Sequence, residues 1–167
     1  NVLVGMILTA AVLRLVPHPP NFTPIGALAL FAGAQFSRKW LAFCVPLVAM
    51  LLSDLVIGLH RGMPLVYGCF AMTVGLGFWL RAHRKPHALM AASVLSAVLF
   101  YAITNFGVWA GGALYPQHTT GLLACYTAAL PFLNNMLLGN LFYSILLFGA
   151  FWLLQQRFIV LREPAVA

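Results

Sequence analysis

Asp54 is one of two acidic side chains among 167 residues and the only one inside a hydrophobic run, Trp40–Leu59. A carboxylate held at the centre of such a run costs roughly 2.5 to 3.5 kcal/mol to place in lipid, so this residue calls for a partner or a task. Two cations come near its depth, Arg14 and Arg61, the latter seven positions further along the same segment. A buried ion pair bracing two segments is one reading and a ligand site is the other. A proton relay is disfavoured, because no second intramembrane Asp or Glu continues a path across.

Cysteine and histidine supply the remaining chemistry. Cys44, Cys69 and Cys125 have no C-x-x-C spacing, which argues against a zinc cage or a thioredoxin-like pair. A free cysteine is ordinarily a small buried hydrophobe, but its thiolate is also a soft ligand for transition metals. Cys69 falls a few residues below a segment end, near the depth of Asp54 and the histidines, and Cys125 is the fallback. His83 and His87 stand four apart in a basic loop, while His18 and His60 end different loops. No two histidines sit at facing depths inside two segments, so a bis-histidine haem site finds no support.

The elements that must position these groups are membrane segments. Hydrophobic residues make up 63% of the chain and charged residues 7%, with mean hydropathy +0.97, which excludes a soluble domain. Each crossing takes roughly 20 apolar residues, and the pattern gives a single all-α polytopic domain over 1–167. Its six expected spans are 2–16, 22–36, 40–59, 64–80, 89–110 and 131–154, with 121–130 as a re-entrant or interfacial helix. The run Gly26–Ala34 carries a small-residue face suited to close helix packing. The chain opens on Asn1 with no basic region or A-x-A-like site, which reads as the ordered part of a longer chain rather than a signal peptide.

Seven of the nine basic residues, Arg38, Lys39, Arg81, Arg84, Lys85, Arg157 and Arg162, fall on one side of this arrangement. Positive loops are retained in the cytoplasm, so both termini are expected inside, and the net charge of +7 needs no nucleic acid to explain it. The opposite, external layer gathers the candidate site: His18, Asp54, His60, Tyr67, Cys69, Asn105, Tyr126 and Asn135, with Arg14 and Asn21 beside them. Residues three or four apart share a helix face, which groups Arg14 with His18 and Tyr101 with Asn105. Tyr67 lies about 200° around from Cys69, so the two share a pocket only if their span begins after Tyr67.

Three stretches together carry a family resemblance: Pro17-His-Pro-Pro-Asn-Phe-Thr-Pro-Ile-Gly-Ala-Leu-Ala-Leu30, Leu51-Leu-Ser-Asp-Leu-Val-Ile-Gly-Leu-His60 and Thr104-Asn-Phe-Gly107. They resemble the S-components of energy-coupling-factor (ECF) vitamin transporters. With Tyr67-Gly-Cys69 added, the chain is most similar to the solitary cobalamin transporters of the BtuM type, over essentially its whole length. The resemblance implies a six-helix bundle in the bacterial cytoplasmic membrane that takes up cobalamin (vitamin B12). It also implies Cys69 as the ligand of the corrinoid cobalt, with decyanation of cyanocobalamin accompanying uptake. The Ala-x-x-x-Ala docking motif by which S-components meet their ECF energising partner is missing, since Ala10 and Ala11 are followed four residues later by Arg14 and Leu15. That favours a solitary protein or an unusual docking mode. No Walker motif is present, so the chain has no ATP site of its own. An S-component for a different small vitamin, with Cys69 purely structural, and a membrane scaffold without ligand are the alternatives.

Overall fold

The computed structural model describes residues 5, 8, 9, 12–158 and 161, and among them every regular element is helical. A short 3₁₀ turn, Leu13–Leu15, leads into six α-helices. These are α1 (Ile25–Gln35), α2 (Lys39–Ile57), α3 (Met63–Leu80), α4 (Pro86–Ala110), α5 (Thr119–Ala128) and α6 (Leu130–Arg157). The expected span over 2–16, Ala10 and Ala11 of the docking motif, and Arg162 lie wholly or mostly outside the described residues.

Proline and glycine set the boundaries. Pro64, Pro86 and Pro131 occupy the first turn of α3, α4 and α6, where a missing N–H costs nothing and the fixed φ favours helix entry. Gly58 ends α2 at φ 120°, with its N–H donating to Asp54 O at 2.8 Å, a backbone geometry that disfavours any residue with a Cβ. Pro46 lies buried inside α2, tolerated because neighbouring protein rather than lipid surrounds the interrupted ladder.

Helices α2, α3, α4 and α6 are long and apolar enough to cross a membrane. Their outward faces are apolar and exposed, including Leu52 and Val56 on α2, Met90 and Val98 on α4, and Phe142 and Ile145 on α6. Such a belt on a soluble protein would be an aggregation surface, whereas around a bundle it meets acyl chains.

The expected second span, 22–36, takes a different form. Pro19, Pro20 and Pro24 keep the chain out of helix until Ile25, and α1 ends at Gln35. Eleven residues at 1.5 Å each give about 16 Å, half of the hydrocarbon thickness, so α1 by itself is shorter than a crossing, and the extended segment before it, held at Pro20 by Asn135, makes up the rest of the path to Phe36 and Arg81 at the opposite end. Its first nine residues, Ile25 to Gly33, are all buried, making it the central core element, enclosed by α2, α3 and α6. Phe31 meets Phe148 and Phe151 of α6 edge-on at 5.2 and 5.4 Å.

Small residues permit this central position. A Cβ placed on Gly33 would lie 2.8 Å from Gly77 Cα of α3, and the reverse holds for Gly77, so the two helices touch backbone to backbone. Gly26 gives similar room to the Asn140 side chain of α6. Arg81 closes the far end of α1, donating from Nε to Gly33 O at 2.7 Å and from Nη2 to Phe36 O. A cation there offsets the negative end of the helix dipole.

Candidate functional site

Asp54 stands in the last turn of α2 and is 2% exposed, at the helix end that disfavours a carboxylate. Arg14 compensates, its Nη1 lying 2.7 Å from Asp54 Oδ1. The same nitrogen donates to Met50 O at 3.3 Å and to Ser53 Oγ. Tyr67 of α3 donates its hydroxyl to Asp54 Oδ2 at 3.0 Å. The carboxylate is therefore held on both oxygens, and of the two cations expected as partners Arg14 makes the pair. One carboxylate thus ties the turn before α1 to α2 and α3.

Beside this cluster lies a cavity of about 220 Å³, walled by Arg14, Asn21, Thr23 and His60 and by the apolar Ile25, Val66, Phe70, Phe100 and Met136. A smaller cavity of about 70 Å³ shares Asn21, Phe100 and Met136 with it and adds Thr104 and Asn105. Asn21, common to both, has φ 65°. Asparagine tolerates this left-handed conformation better than most residues, and such strain tends to be stored where a backbone must be aimed. The arrangement is a polar rim, one guanidinium and one imidazole, over an aromatic and thioether floor. It offers polar groups along one side and an apolar surface along the other.

Several expected site residues make contacts that brace the scaffold. Asn135 donates to Pro20 O at 3.0 Å, fixing α6 to the turn before α1. Tyr126 donates to Ala102 O and Tyr101 to Tyr126 O, both at 2.6 Å, with their rings edge-on at 5.4 Å. Cys125 Sγ donates to Asn105 O at 3.5 Å. Together these contacts clamp α5 against α4. Burial pushes the Cys125 thiol and the Tyr126 phenol above their ordinary pKa values, the neighbouring Cys125 and Tyr101 adding to the effect at Tyr126. His18 Nδ1 lies 2.5 Å from Val16 O, within its own turn. Asn105 donates to Tyr101 O at 2.8 Å while bordering the smaller cavity.

Cys69 is not with the others. It is 3% exposed, four residues beyond Leu65, whose side chain packs on Gly107 of α4, and it borders neither of the two cavities. Because α3 begins at Met63, Tyr67 lies inside the helix, and the phase separates it from Cys69: Tyr67 turns to Asp54 while Cys69 does not. The three cysteines are all free thiols, and among the described residues no group of three His, Cys, Asp or Glu side chains is placed to hold a metal ion.

A second polar cluster sits deeper. Asn140 of α6, 1% exposed, donates to Ser96 Oγ at 2.9 Å and Ser93 O at 3.3 Å on α4, and Ser93 donates to Ser144 Oγ at 3.0 Å. No buried side-chain nitrogen or oxygen among the described residues lacks a partner. This network joins α4 to α6 by hydrogen bonds between apolar helices. Sequence reasoning passed over it, although the spacings 93/96 and 140/144 place each pair on one face.

Fold and site together define an all-α, multi-pass membrane protein with a small polar cavity near one end of the bundle. The chain belongs to the family of unknown function DUF6580, which it matches over residues 1–165. No curated protein and no solved structure matches it.

Proposed function

We propose that this protein binds and takes up a small vitamin-class solute across the bacterial cytoplasmic membrane, entering from the face that carries Arg14 and His60. The observation that carries the reading is the 220 Å³ cavity with Arg14 and His60 on its rim and Phe70, Phe100 and Met136 on its floor. The proposed arrangement has both termini inside, six spans with 121–130 as a re-entrant or interfacial helix, and no energising partner. Arg38, Lys39, Arg81, Arg84, Lys85 and Arg157 support it, for they border the other end of the helices.

The resemblance to S-components supplies the solute class, and cavity size selects within it. Ligand pockets for drug-sized molecules span roughly 300 to 1,000 Å³, so a cavity of about 220 Å³ matches a compact vitamin more closely than a corrin macrocycle. A cobalamin site would also need Cys69 to reach it, and Cys69 is buried and borders neither cavity.

A thermal-shift screen of small vitamins and cobalamin against the purified protein tests this. A ligand at 100 times its Kd stabilises by about 2.7 kcal/mol, and the shift should vanish in Phe100→Ala or His60→Ala. If cobalamin alone stabilises, with a cobalt absorbance band lost in Cys69→Ala, the corrinoid reading replaces this one. Stabilisation by no solute would favour a scaffold.

A further inference from the structure

At the end of the bundle opposite to Arg14, the turn joining α3 to α4 overhangs a cavity of about 530 Å³. Its rim carries Arg81, Arg84 and Lys85, and its wall descends over Leu89, Phe148 and Trp152. Among the described residues the one carboxylate is Asp54, paired with Arg14 at the other end, so no described acid faces these cations. Arg81 is committed to the end of α1, whereas Arg84, whose Nε donates to Arg81 O at 3.2 Å, and Lys85 are exposed. The wall is open sideways, since Ile145 and Trp152 of α6 are 66% and 59% exposed on a helix long and apolar enough to cross a membrane. Gly149, on the same wall, has no heavy atom within 4 Å of the place a Cβ would take. The cavity therefore joins an aqueous cationic rim to an apolar slot reached from the hydrocarbon layer.

We propose that this cavity is a binding site for an anionic phospholipid, with its phosphate at Arg84 and Lys85 and one acyl chain lying along α6 past Gly149. A free phosphate would leave the apolar wall unfilled, and a choline headgroup would bring a cation against the rim. Basic pockets between membrane helices are suited to acidic headgroups, each Lys or Arg near the surface contributing about 1 kcal/mol, or about a five-fold change in affinity.

The test uses delipidated protein in a neutral detergent, titrated separately with phosphatidylglycerol, phosphatidylcholine and inorganic phosphate, and read by thermal unfolding and by native mass spectrometry. Phosphatidylglycerol should be retained and raise Tm at concentrations where the other two do neither. Arg84→Gln and Lys85→Gln should each weaken that binding about five-fold, and Gly149→Leu should abolish it while leaving the lipid-free Tm unchanged or higher. Equal effects of the two lipids, an equal effect of phosphate alone, or full binding by both charge variants would overturn the proposal. Should Gly149→Leu fail to fold, the two exposed charge variants decide.

Discussion

Tyr67 donates to the oxygen of Asp54 that Arg14 leaves open, 3.0 Å on one side against 2.7 Å on the other. Removing either outer partner exposes one carboxylate oxygen, whereas removing the carboxylate strands a guanidinium at a depth with no other described acid. Asp54→Asn should therefore destabilise by about 3 to 5 kcal/mol, as breaking a buried pair does, and Tyr67→Phe by about 1 kcal/mol. Thermal unfolding in detergent measures both. The double variant Arg14→Met with Asp54→Leu should recover much of the loss, and a loss equal to the sum of the single changes would show that the pair does not act as a unit.

Backbone contact between α1 and α3 gives a sharper contrast. Gly33→Ala and Gly77→Ala each force a methyl group onto the facing backbone, for which a cost of about 1 to 3 kcal/mol is expected. Gly68→Ala and Gly75→Ala in the same helix α3 meet open space and should be neutral or stabilise by up to about 1 kcal/mol. Comparing the four Tm values separates a packing requirement from a general intolerance of alanine.

Asn140 joins α6 to both Ser93 and Ser96. Asn140→Leu removes these bonds and presses a branched side chain toward Gly26, so it should cost more than the roughly 0.6 kcal/mol average for a hydrogen bond between membrane helices. Ser144→Ala, which loses the single bond to Ser93, should stay near that average. Denaturant titration of the two variants checks the order.

Thiol reactivity tests the placement of the cysteines. Cys44 is exposed, whereas Cys69 and Cys125 are buried, and the raised pKa of Cys125 keeps less of it as the reactive thiolate at neutral pH. A membrane-permeant maleimide at pH 7 should modify Cys44 in the folded protein and reach Cys69 and Cys125 only after denaturation. Rapid labelling of Cys69 in the native state would mean that it faces a solvent-filled pocket after all.

The long helices were legible because length and hydropathy suffice to specify them, and Pro64, Pro86 and Pro131 mark three of their starts. Helix α1 was not legible as a half-length element, since the composition of Ile25–Gln35 is the same whether its neighbours are acyl chains or other helices. At the site, the demand of Asp54 for a cation was visible, but the choice of Arg14 over Arg61 depended on how the chain turns before α1. Pro64 held the clue to Cys69: as a first-turn proline it starts α3 ahead of Tyr67, which separates the tyrosine from the cysteine by helical phase. The Ser93, Ser96, Asn140 and Ser144 cluster had its signal in the spacing, overshadowed by the richer polar layer nearer the helix ends.

Helix α1 bears on how the molecule comes to be built. Its surroundings, α2, α3 and α6, are all translated after it, α6 by nearly a hundred residues. Nine of its eleven residues are buried, so the core it fills is complete only once those later helices have packed around it. A chain truncated before α6 would leave that core without its Phe148 and Phe151 wall.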